Sequence, residues 1–135
     1  MNFNIQKATN KHKEFIKEIY KQEKKHLGSF NLYQSWDKYI TKESPYKFFV
    51  LDGIGFMRYG YSKKYKSYLL QEIGIKEEHK KKGYAKILLN AIPKPLMLKC
   101  NFDNDAGNAF YERCGMTKVG KTSTKAGVEQ NIWAW

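Results

Sequence analysis

Two regular patterns of apolar positions divide the chain into strands and helices. Alternating or short continuous apolar runs predict strands at residues 1–8, 47–51, 55–61, 67–75, 95–100, 118–122 and 128–135. Apolar residues spaced by three and four predict helices at residues 15–25, 32–43, 85–92 and 104–114. The resulting order, β-α-α-β-β-β-α-β-α-β-β, predicts an α+β fold with a mixed sheet.

Turn and stop residues support these boundaries. Asp52 and Gly53 form a dipeptide typical of a hairpin turn. Pro93 ends the third predicted helix, and Gly115 is suited to close the fourth. Because the sequence shows no repeat, linker or low-complexity segment, residues 1–135 are predicted to form a single domain.

The junction between the strand at residues 67–75 and the following helix carries the first chemical signal. Residues 80–85 read Lys-Lys-Lys-Gly-Tyr-Ala. A helix start exposes unpaired backbone N–H groups with a partial positive charge, and glycine lets an anion approach them closely. The junction is therefore typical of a phosphate-binding loop, although an ordinary helix start shows the same pattern.

A second motif follows one predicted strand later. Residues 104–116 read Asn-Asp-Ala-Gly-Asn-Ala-Phe-Tyr-Glu-Arg-Cys-Gly-Met. With residues 80–85, it resembles the two signatures of the GCN5-related N-acetyltransferases (GNAT), Gln/Arg-x-x-Gly-x-Gly/Ala and Asn-x-x-Ala-x-x-Phe-Tyr-Glu-x-x-Gly-Phe. Five residues match the second signature in register: Asn104, Phe110, Tyr111, Glu112 and Gly115. Gly107 stands where the family has Ala, and Met116 stands where it has Phe.

The resemblance covers roughly residues 68–120 and implies both the fold and the activity. The implied fold is a three-layer α/β/α arrangement whose central sheet splays where the cofactor enters. The implied activity is direct transfer of an acetyl group from acetyl-CoA, the co-substrate, to a primary amine through a ternary complex. Acetyl and slightly larger acyl groups are not distinguished by the sequence.

The resemblance also implies a set of cofactor contacts. Backbone N–H groups of the first signature would bind the pyrophosphate, the strand before it would pair with the pantetheine arm, and Asn104 would orient the cofactor or simply cap its helix. Lys80 replaces the Gln or Arg of the family, and Gly74 is expected to mark a bulge or close approach. The implied set is Ile73, Ile75, Lys80, Lys82, Gly83, Tyr84, Ala85, Asn104 and Tyr111.

Two residues are candidates for proton transfer. Tyr111 resembles the general acid of the family; protonating a thiolate from a phenol is uphill by about 2 kcal/mol, and the alternative is a buried aromatic beside Phe110. Glu72 is the candidate general base, with a strand glutamate that faces solvent or a lysine as the alternative. Lys99 stands where some relatives carry a second glutamate, which favours an acceptor amine of lower pKa than lysine, such as an α-amino group.

Four aromatic residues are candidates either for lining the acceptor site or for the core: Tyr33, Trp36, Tyr39 and Trp133. Aromatic residues of this kind belong to the core more often than to a site, so the core interpretation is favoured. Paired strands near the end of the sequence leave both a monomer and a homodimer open.

Charge and composition add the last expectations. The formal net charge is +12, almost entirely from lysine, which indicates either a lysine-rich surface or a polyanionic partner such as nucleic acid or an acidic protein. Two cysteines and three scattered histidines indicate neither a disulfide scaffold nor a metal site. With no signal or membrane-spanning pattern, the chain is expected to be cytoplasmic, without a membrane partner. Two alternatives stay open: a nucleic-acid-directed acetyltransferase acting on aminoacyl-tRNA, a nucleobase or a nucleic-acid-bound protein, and a non-catalytic CoA-binding module.

Overall fold

Seven strands and three α-helices make up the part of the chain that the computed structural model describes, which is residues 4–23, 36, 40 and 44–135. The elements are β1 (Ile5–Lys7), α1 (Lys13–Gln22), β2 (Lys47–Leu51), β3 (Gly55–Ser62), β4 (Ser67–Ile75), α2 (Tyr84–Asn90), β5 (Leu96–Asn101), α3 (Asp105–Arg113), β6 (Thr117–Ser123) and β7 (Glu129–Ala134). Each lies where the apolar pattern predicts it, whereas the helix predicted at residues 32–43 falls mostly outside the described residues. No helix in the described part is long and apolar enough to cross a membrane.

The strands form one sheet in the order β1-β2-β3-β4-β5-β7-β6. Neighbouring strands are antiparallel except β4 and β5, which run parallel. That parallel pairing spans only Tyr68–Leu70 and Leu96–Leu98. Because β4 continues to Ile75 without pairing to β5, the two strands part and leave a gap in the middle of the sheet.

A β-bulge interrupts the pairing of β3 with β4 at the point where this gap begins. Arg58 lies opposite Glu72, and Tyr59 lies opposite Leu70. Gln71 is therefore the extra residue, with no partner on β3. Since a bulge bends its strand and increases the local twist, it contributes to the separation of β4 from β5.

Both faces of the sheet are covered by apolar side chains from the helices. On one face α1 packs with β2 and β3, and the buried cluster includes Ile16, Ile19, Phe48, Val50 and Phe56. On the other face α2 and α3 pack with β3, β4, β5 and β7, and the buried cluster includes Met57, Leu70, Leu88, Leu98 and Trp133. Alternate residues of β3, such as Phe56 and Met57, enter different clusters, as the period of a strand requires. Helices therefore lie on both faces of a mixed sheet, which confirms the predicted α+β, three-layer fold.

Candidate functional site

The loop that leads from β4 into α2 has an unusual backbone. Lys81 and Gly83 both have positive φ values, 62° and 89°. Nothing lies within 4 Å of the place where a Cβ on Gly83 would stand. Glycine is therefore required here by the left-handed backbone and not by packing, and the space above it is open to a ligand.

Unpaired backbone donors line this loop. The first backbone hydrogen bond of α2 runs from the N–H of Ile87 to the carbonyl oxygen of Gly83, at 3.2 Å. Within the described part of the chain, the N–H groups of Lys82, Gly83 and Ala85 have no hydrogen-bond acceptor. Such donors, beside an exposed Lys82, fit the oxygens of a pyrophosphate group. The ring of Tyr84, by contrast, packs edge-on against His79, with centroids 6.1 Å apart.

Lys80, predicted to contact the cofactor, forms ion pairs with two glutamates. Its ammonium pairs with Glu23 and lies 3.2 Å from a carboxylate oxygen of Glu77, and its N–H donates to the Glu77 carbonyl oxygen at 3.2 Å. Desolvation lowers the pKa of Lys80, but the hydrogen bonds to Glu23 and Glu77 outweigh it and raise the pKa above its ordinary value. The side chain therefore ties the loop to Glu23, the residue that follows α1.

Among the described residues, no strand pairs with the edge of β4 that faces the gap from Gln71 to Ile75. This stretch contains Ile73 and Ile75, whose side chains belong to the α2/α3 face of the core. An unpaired strand edge is suited to an extended chain of amide groups, such as the pantetheine arm that the resemblance implies. Gly74 does not mark the bulge, which lies at Gln71; a Cβ on Gly74 would stand 2.6 Å from Ile19 Cγ2 and 2.9 Å from the ring of Phe56.

Glu72 faces an arginine across the bulge. Its two carboxylate oxygens accept hydrogen bonds from Nε and Nη2 of Arg58, at 2.6 and 2.8 Å. The Arg58 guanidinium also lies over the ring of Phe48, 5.9 Å from its centroid. The predicted general base is thus one half of a largely buried ion pair. Its partner, Arg58, was not part of the sequence interpretation.

Tyr111 lies in the core between α3 and the sheet. Its ring neighbours are Phe110, at 5.3 Å between centroids, and Trp133, at 6.4 Å. Burial, together with the nearby thiols of Cys100 and Cys114, raises the pKa of Tyr111 well above its ordinary value. The phenol is therefore a weaker acid in this structure than free tyrosine. Tyr111 is a buried aromatic residue, whether or not it also takes part in catalysis.

Asn104 caps α3, as one of the two predicted alternatives has it. Its side-chain oxygen accepts a hydrogen bond from the N–H of Gly107 at 3.0 Å. A Cβ on Gly107 would stand 2.6 Å from Nδ2 of Asn104 and 3.0 Å from Sγ of Cys100. This crowding explains locally why glycine occupies a position where the family has alanine.

Asn108 is the residue of this region that sequence reasoning missed. Its amide nitrogen donates to the carbonyl oxygens of Asn101 and Asn104, at 3.0 and 2.9 Å. Its side-chain oxygen accepts from Nε1 of Trp133 at 2.9 Å and from Nδ2 of Asn131 at 3.1 Å. Asn108 therefore joins α3, the end of β5 and β7, although it occupies an unspecified position of the signature.

The two tryptophans considered for the acceptor site are core residues. Trp133 is buried, and Trp36 is 1% exposed, stacks on Phe48 and donates from Nε1 to Oδ1 of Asn10 at 2.8 Å. Tyr33 and Tyr39 lie outside the described residues. A different feature offers room for an acceptor: a depression of about 240 Å³ lies where β4 and β5 part, and it is lined by Tyr65, Leu69, Leu70, Gln71, Met97, Leu98, Lys99 and Gln130.

The geometry agrees with the family relationship of the sequence. The profile of the acetyltransferase (GNAT) family matches residues 13–116, which is more than half of the chain. The chain therefore belongs to this family and is an acyltransferase of the N-acetyltransferase type, with acetyl-CoA as co-substrate. The family, the enzyme class and the co-substrate predicted from the two signatures are thus confirmed.

Solved structures share the fold at low sequence identity. A mutant of spermidine N-acetyltransferase SpeG from Vibrio cholerae is 17% identical, with a TM-score of 0.77 over 98% of this chain and 92% of that one. Arabidopsis thaliana NAA60 in complex with acetyl-CoA is 14% identical, with a TM-score of 0.71 over 98% of both chains. The ribosomal-protein-S18-alanine N-acetyltransferase of Escherichia coli is 17% identical, with a TM-score of 0.69 over 97% of this chain and 91% of that one. No curated protein sequence matches the chain.

Proposed function

We propose that this enzyme transfers the acetyl group of acetyl-CoA directly to a primary amine within a ternary complex. One observation carries the proposal: within the described residues, the edge of β4 that has no strand partner begins at the bulge at Gln71 and leads toward the N–H groups of Lys82, Gly83 and Ala85. An extended molecule with a pyrophosphate at one end and a thioester at the other fits this continuous track.

The chain's own residues divide the binding of acetyl-CoA between them. The N–H groups of Lys82, Gly83 and Ala85 hold the pyrophosphate, and the backbone of β4 around Ile73 pairs with the pantetheine amides. Lys80 keeps the loop in place through Glu23 and Glu77. The thioester then lies near the gap between β4 and β5, beside the depression that receives the acceptor.

In the reaction, the amine nitrogen attacks the thioester carbonyl carbon, the C–S bond breaks, the nitrogen loses a proton and the thiolate gains one. Catalysis rests mainly on holding the two reactants together, with backbone donors polarising the carbonyl. Tyr111 supplies a proton or a hydrogen bond to the leaving sulfur. Its raised pKa makes full transfer costlier than for an ordinary phenol, so a hydrogen bond that strengthens in the transition state is the favoured form.

The acceptor is an amine of low pKa. Both oxygens of Glu72 accept hydrogen bonds from Arg58, so this carboxylate is held in an ion pair and an acceptor that needs little help to lose its proton is favoured. Deprotonating a lysine ammonium at pH 7 costs about 4.6 kcal/mol, whereas an α-ammonium near pKa 8 costs about 1 kcal/mol. The named substrates of the similar structures, spermidine and the alanine of a ribosomal protein, show that both kinds of amine occur on this fold.

The test is thiol release from acetyl-CoA by the purified protein, with and without a panel of amines that includes free α-amino peptides, lysine peptides and polyamines. We expect release with α-amino acceptors, and a fall of about a hundredfold or more in kcat for Tyr111→Phe. Tyr59→Phe, which also removes a half-buried phenol oxygen, is the matched control and should leave kcat unchanged. Tight binding of acetyl-CoA without thiol release for any acceptor would instead support the non-catalytic CoA-binding module.

A further inference from the structure

The end of the sheet opposite the loop at residues 80–85 carries a second candidate binding surface. β4 begins there at Ser67 and reaches the loop only after its other end, at Ile75. We call this region the turn surface and define it by the exposed or half-buried residues of the β3–β4 turn, the loop before β5 and the end of β7. Its members are Tyr61, Lys63, Lys64, Tyr65, Lys66, Tyr68, Lys94 and Trp135.

Backbone hydrogen bonds hold the three segments of the turn surface side by side. The N–H of Tyr68 and the hydroxyl of Ser67 donate to the carbonyl oxygen of Pro95, at 2.8 and 3.0 Å. The N–H of Trp135 donates to the carbonyl oxygen of Leu96 at 2.8 Å. These hydrogen bonds fix the backbone of the three segments relative to one another.

Lysines and aromatic rings are interleaved on this surface. Lys94 Nζ lies 3.8 Å from the centroid of the Trp135 ring, and Lys64 Nζ lies 5.3 Å from that of Tyr65. Tyr61 and Tyr65 are 46% and 44% exposed, and the ring of Tyr61 meets Tyr68 edge-on at 5.2 Å. Nearly half of the surface of two tyrosines is thus offered to solvent next to ammonium groups.

Among the described residues, the lysines of the turn surface have no acidic partner. The sequence has no Asp or Glu in residues 53–71, 79–102 or 130–135, which supply the whole surface. None of its four lysines forms an ion pair with a described residue, whereas Lys76, Lys80 and Lys121 all do. The local field is therefore positive, and it attracts a polyanion.

We propose that the turn surface binds a single-stranded segment of nucleic acid. Its lysines contact the phosphates, and the exposed faces of Tyr61 and Tyr65 stack on unpaired bases. An acidic peptide would use the lysines but leave the rings without a matching partner, and a duplex keeps its base faces stacked inside the helix. The proposal does not depend on acetyl transfer. Tyr65 also lines the depression between β4 and β5, so a nucleic acid bound at Tyr65 would lie close to that depression.

The test is fluorescence anisotropy of a labelled single-stranded oligouridine of about 12 nucleotides, titrated with the full chain at several salt concentrations. We expect Lys63→Gln, Lys64→Gln and Lys66→Gln, combined in one variant, to weaken binding about tenfold and to reduce the salt slope by about 2. The matched control combines Lys118→Gln, Lys121→Gln and Lys125→Gln, which removes the same charge from β6 and the turn after it. It should weaken binding less than about threefold.

The aromatic part of the proposal needs its own variants. Tyr61→Ala with Tyr65→Ala should weaken oligouridine binding about tenfold and leave binding of inorganic polyphosphate unchanged, whereas the two phenylalanine substitutions should retain stacking. Equal losses from the two lysine variants would show attraction by net charge alone and would overturn the proposal. So would equally tight binding of a polyglutamate peptide, or no oligouridine binding by the unsubstituted chain. Thiol release from acetyl-CoA by the same variants reports separately on the enzyme activity.

Discussion

The two signatures that mark this chain as an acetyltransferase fold into regions of opposite character. The first, at residues 80–85, is an exposed loop with a left-handed Gly83 and N–H groups that have no acceptor in the described part of the chain. The second, at residues 104–116, buries Tyr111 and engages the amides of Asn104 and Asn108 in hydrogen bonds. Under the proposed function, the first region presents its N–H groups to acetyl-CoA. Apart from Tyr111, the second region supports the structure around them.

This difference has a physical basis. An exposed N–H group is satisfied by water until a ligand replaces it, so leaving it unpaired costs the fold little. A buried polar group is not reached by bulk water, so it needs a hydrogen-bond partner inside the protein. Substitutions in the loop should therefore act on acetyl-CoA affinity, and substitutions in α3 should act on the free energy of unfolding.

Asn108→Ala should show the largest effect on stability. The substitution leaves Nε1 of Trp133 and Nδ2 of Asn131 without their acceptor, whereas the carbonyl oxygens of Asn101 and Asn104 keep their backbone donors. Since each buried unpaired group costs about 1–3 kcal/mol, we expect the free energy of unfolding to fall by about 3 kcal/mol in a urea titration. Asn90→Ala, at the exposed end of α2, is the control and should change it by less than about 0.5 kcal/mol.

A loss of acetyl-CoA affinity without a loss of stability in Asn108→Ala would contradict the distinction between the two regions. If the variant unfolded at the same urea concentration but bound acetyl-CoA much more weakly, α3 would present groups to the ligand as the loop does. Isothermal titration with acetyl-CoA on the folded variant makes this distinction.

The residues that escaped the sequence interpretation are those whose partners are distant or out of register. Periodicity predicted β4 and α3 because a period of two or of 3.6 is a local property. The pairing of Arg58 with Glu72 depends on the bulge at Gln71, which shifts the register by one residue and leaves no mark in the apolar pattern. Asn108 likewise stands at an unspecified position of its signature, and its partners Asn131 and Trp133 lie on β7.

The second signature also held a choice that the sequence left open. Asn104 could contact the cofactor or cap its helix, and Tyr111 could be an acid or a core residue. Asn104 caps α3, and Tyr111 is buried. Tyr111 lies on the apolar face of α3, where its ring packs near that of Trp133. Signature residues thus combine structural and chemical requirements, and only the structural ones can be read from packing.

Cys100, on β5 against Gly107 of α3, should make the packing of the second region sensitive to alkaline pH. Burial, followed by the charge of Asp103, raises the pKa of this thiol from 9.0 to about 11. A raised folded-state pKa contributes stability that is fully present below the unfolded-state value of about 9 and is lost as the pH rises toward 11. We expect a loss of about 2 kcal/mol in the free energy of unfolding across this window, measured by urea titration.

Cys100→Ser removes the titrating thiol and is the natural comparison. Its unfolding free energy should be lower at pH 8 but should fall less steeply between pH 9 and pH 11. Tyr111 continues to weaken the fold above pH 10 in both proteins, because its pKa is raised as well. An unchanged slope in Cys100→Ser would show that this thiol is not protected by burial and that solvent reaches the packing beneath α3.

Gly83→Val should separate affinity from stability in the first region. The substitution forces a β-branched residue into a left-handed backbone and fills the open space above the loop, so we expect acetyl-CoA affinity to fall about tenfold. Gly127→Val is a matched control, since Gly127 also has a positive φ, 82°, and no neighbour within 4 Å of its missing Cβ. Both variants should lose about 1 kcal/mol of unfolding free energy, but only the first should lose affinity. Equal affinities would remove the loop from the cofactor site.

Lys80→Met should have the smallest effect, and it sharpens the comparison within the first region itself. Lys80 is partly exposed and paired with Glu23 and Glu77, and such pairs contribute less than about 1 kcal/mol. We therefore expect a small loss of stability and less than about a threefold loss of acetyl-CoA affinity by isothermal titration. Lys82→Met removes an exposed charge beside the free N–H groups and should weaken binding more. The reverse order would mean that Lys80 leaves its carboxylate partners to contact the cofactor, so that one residue of the first signature serves both support and binding.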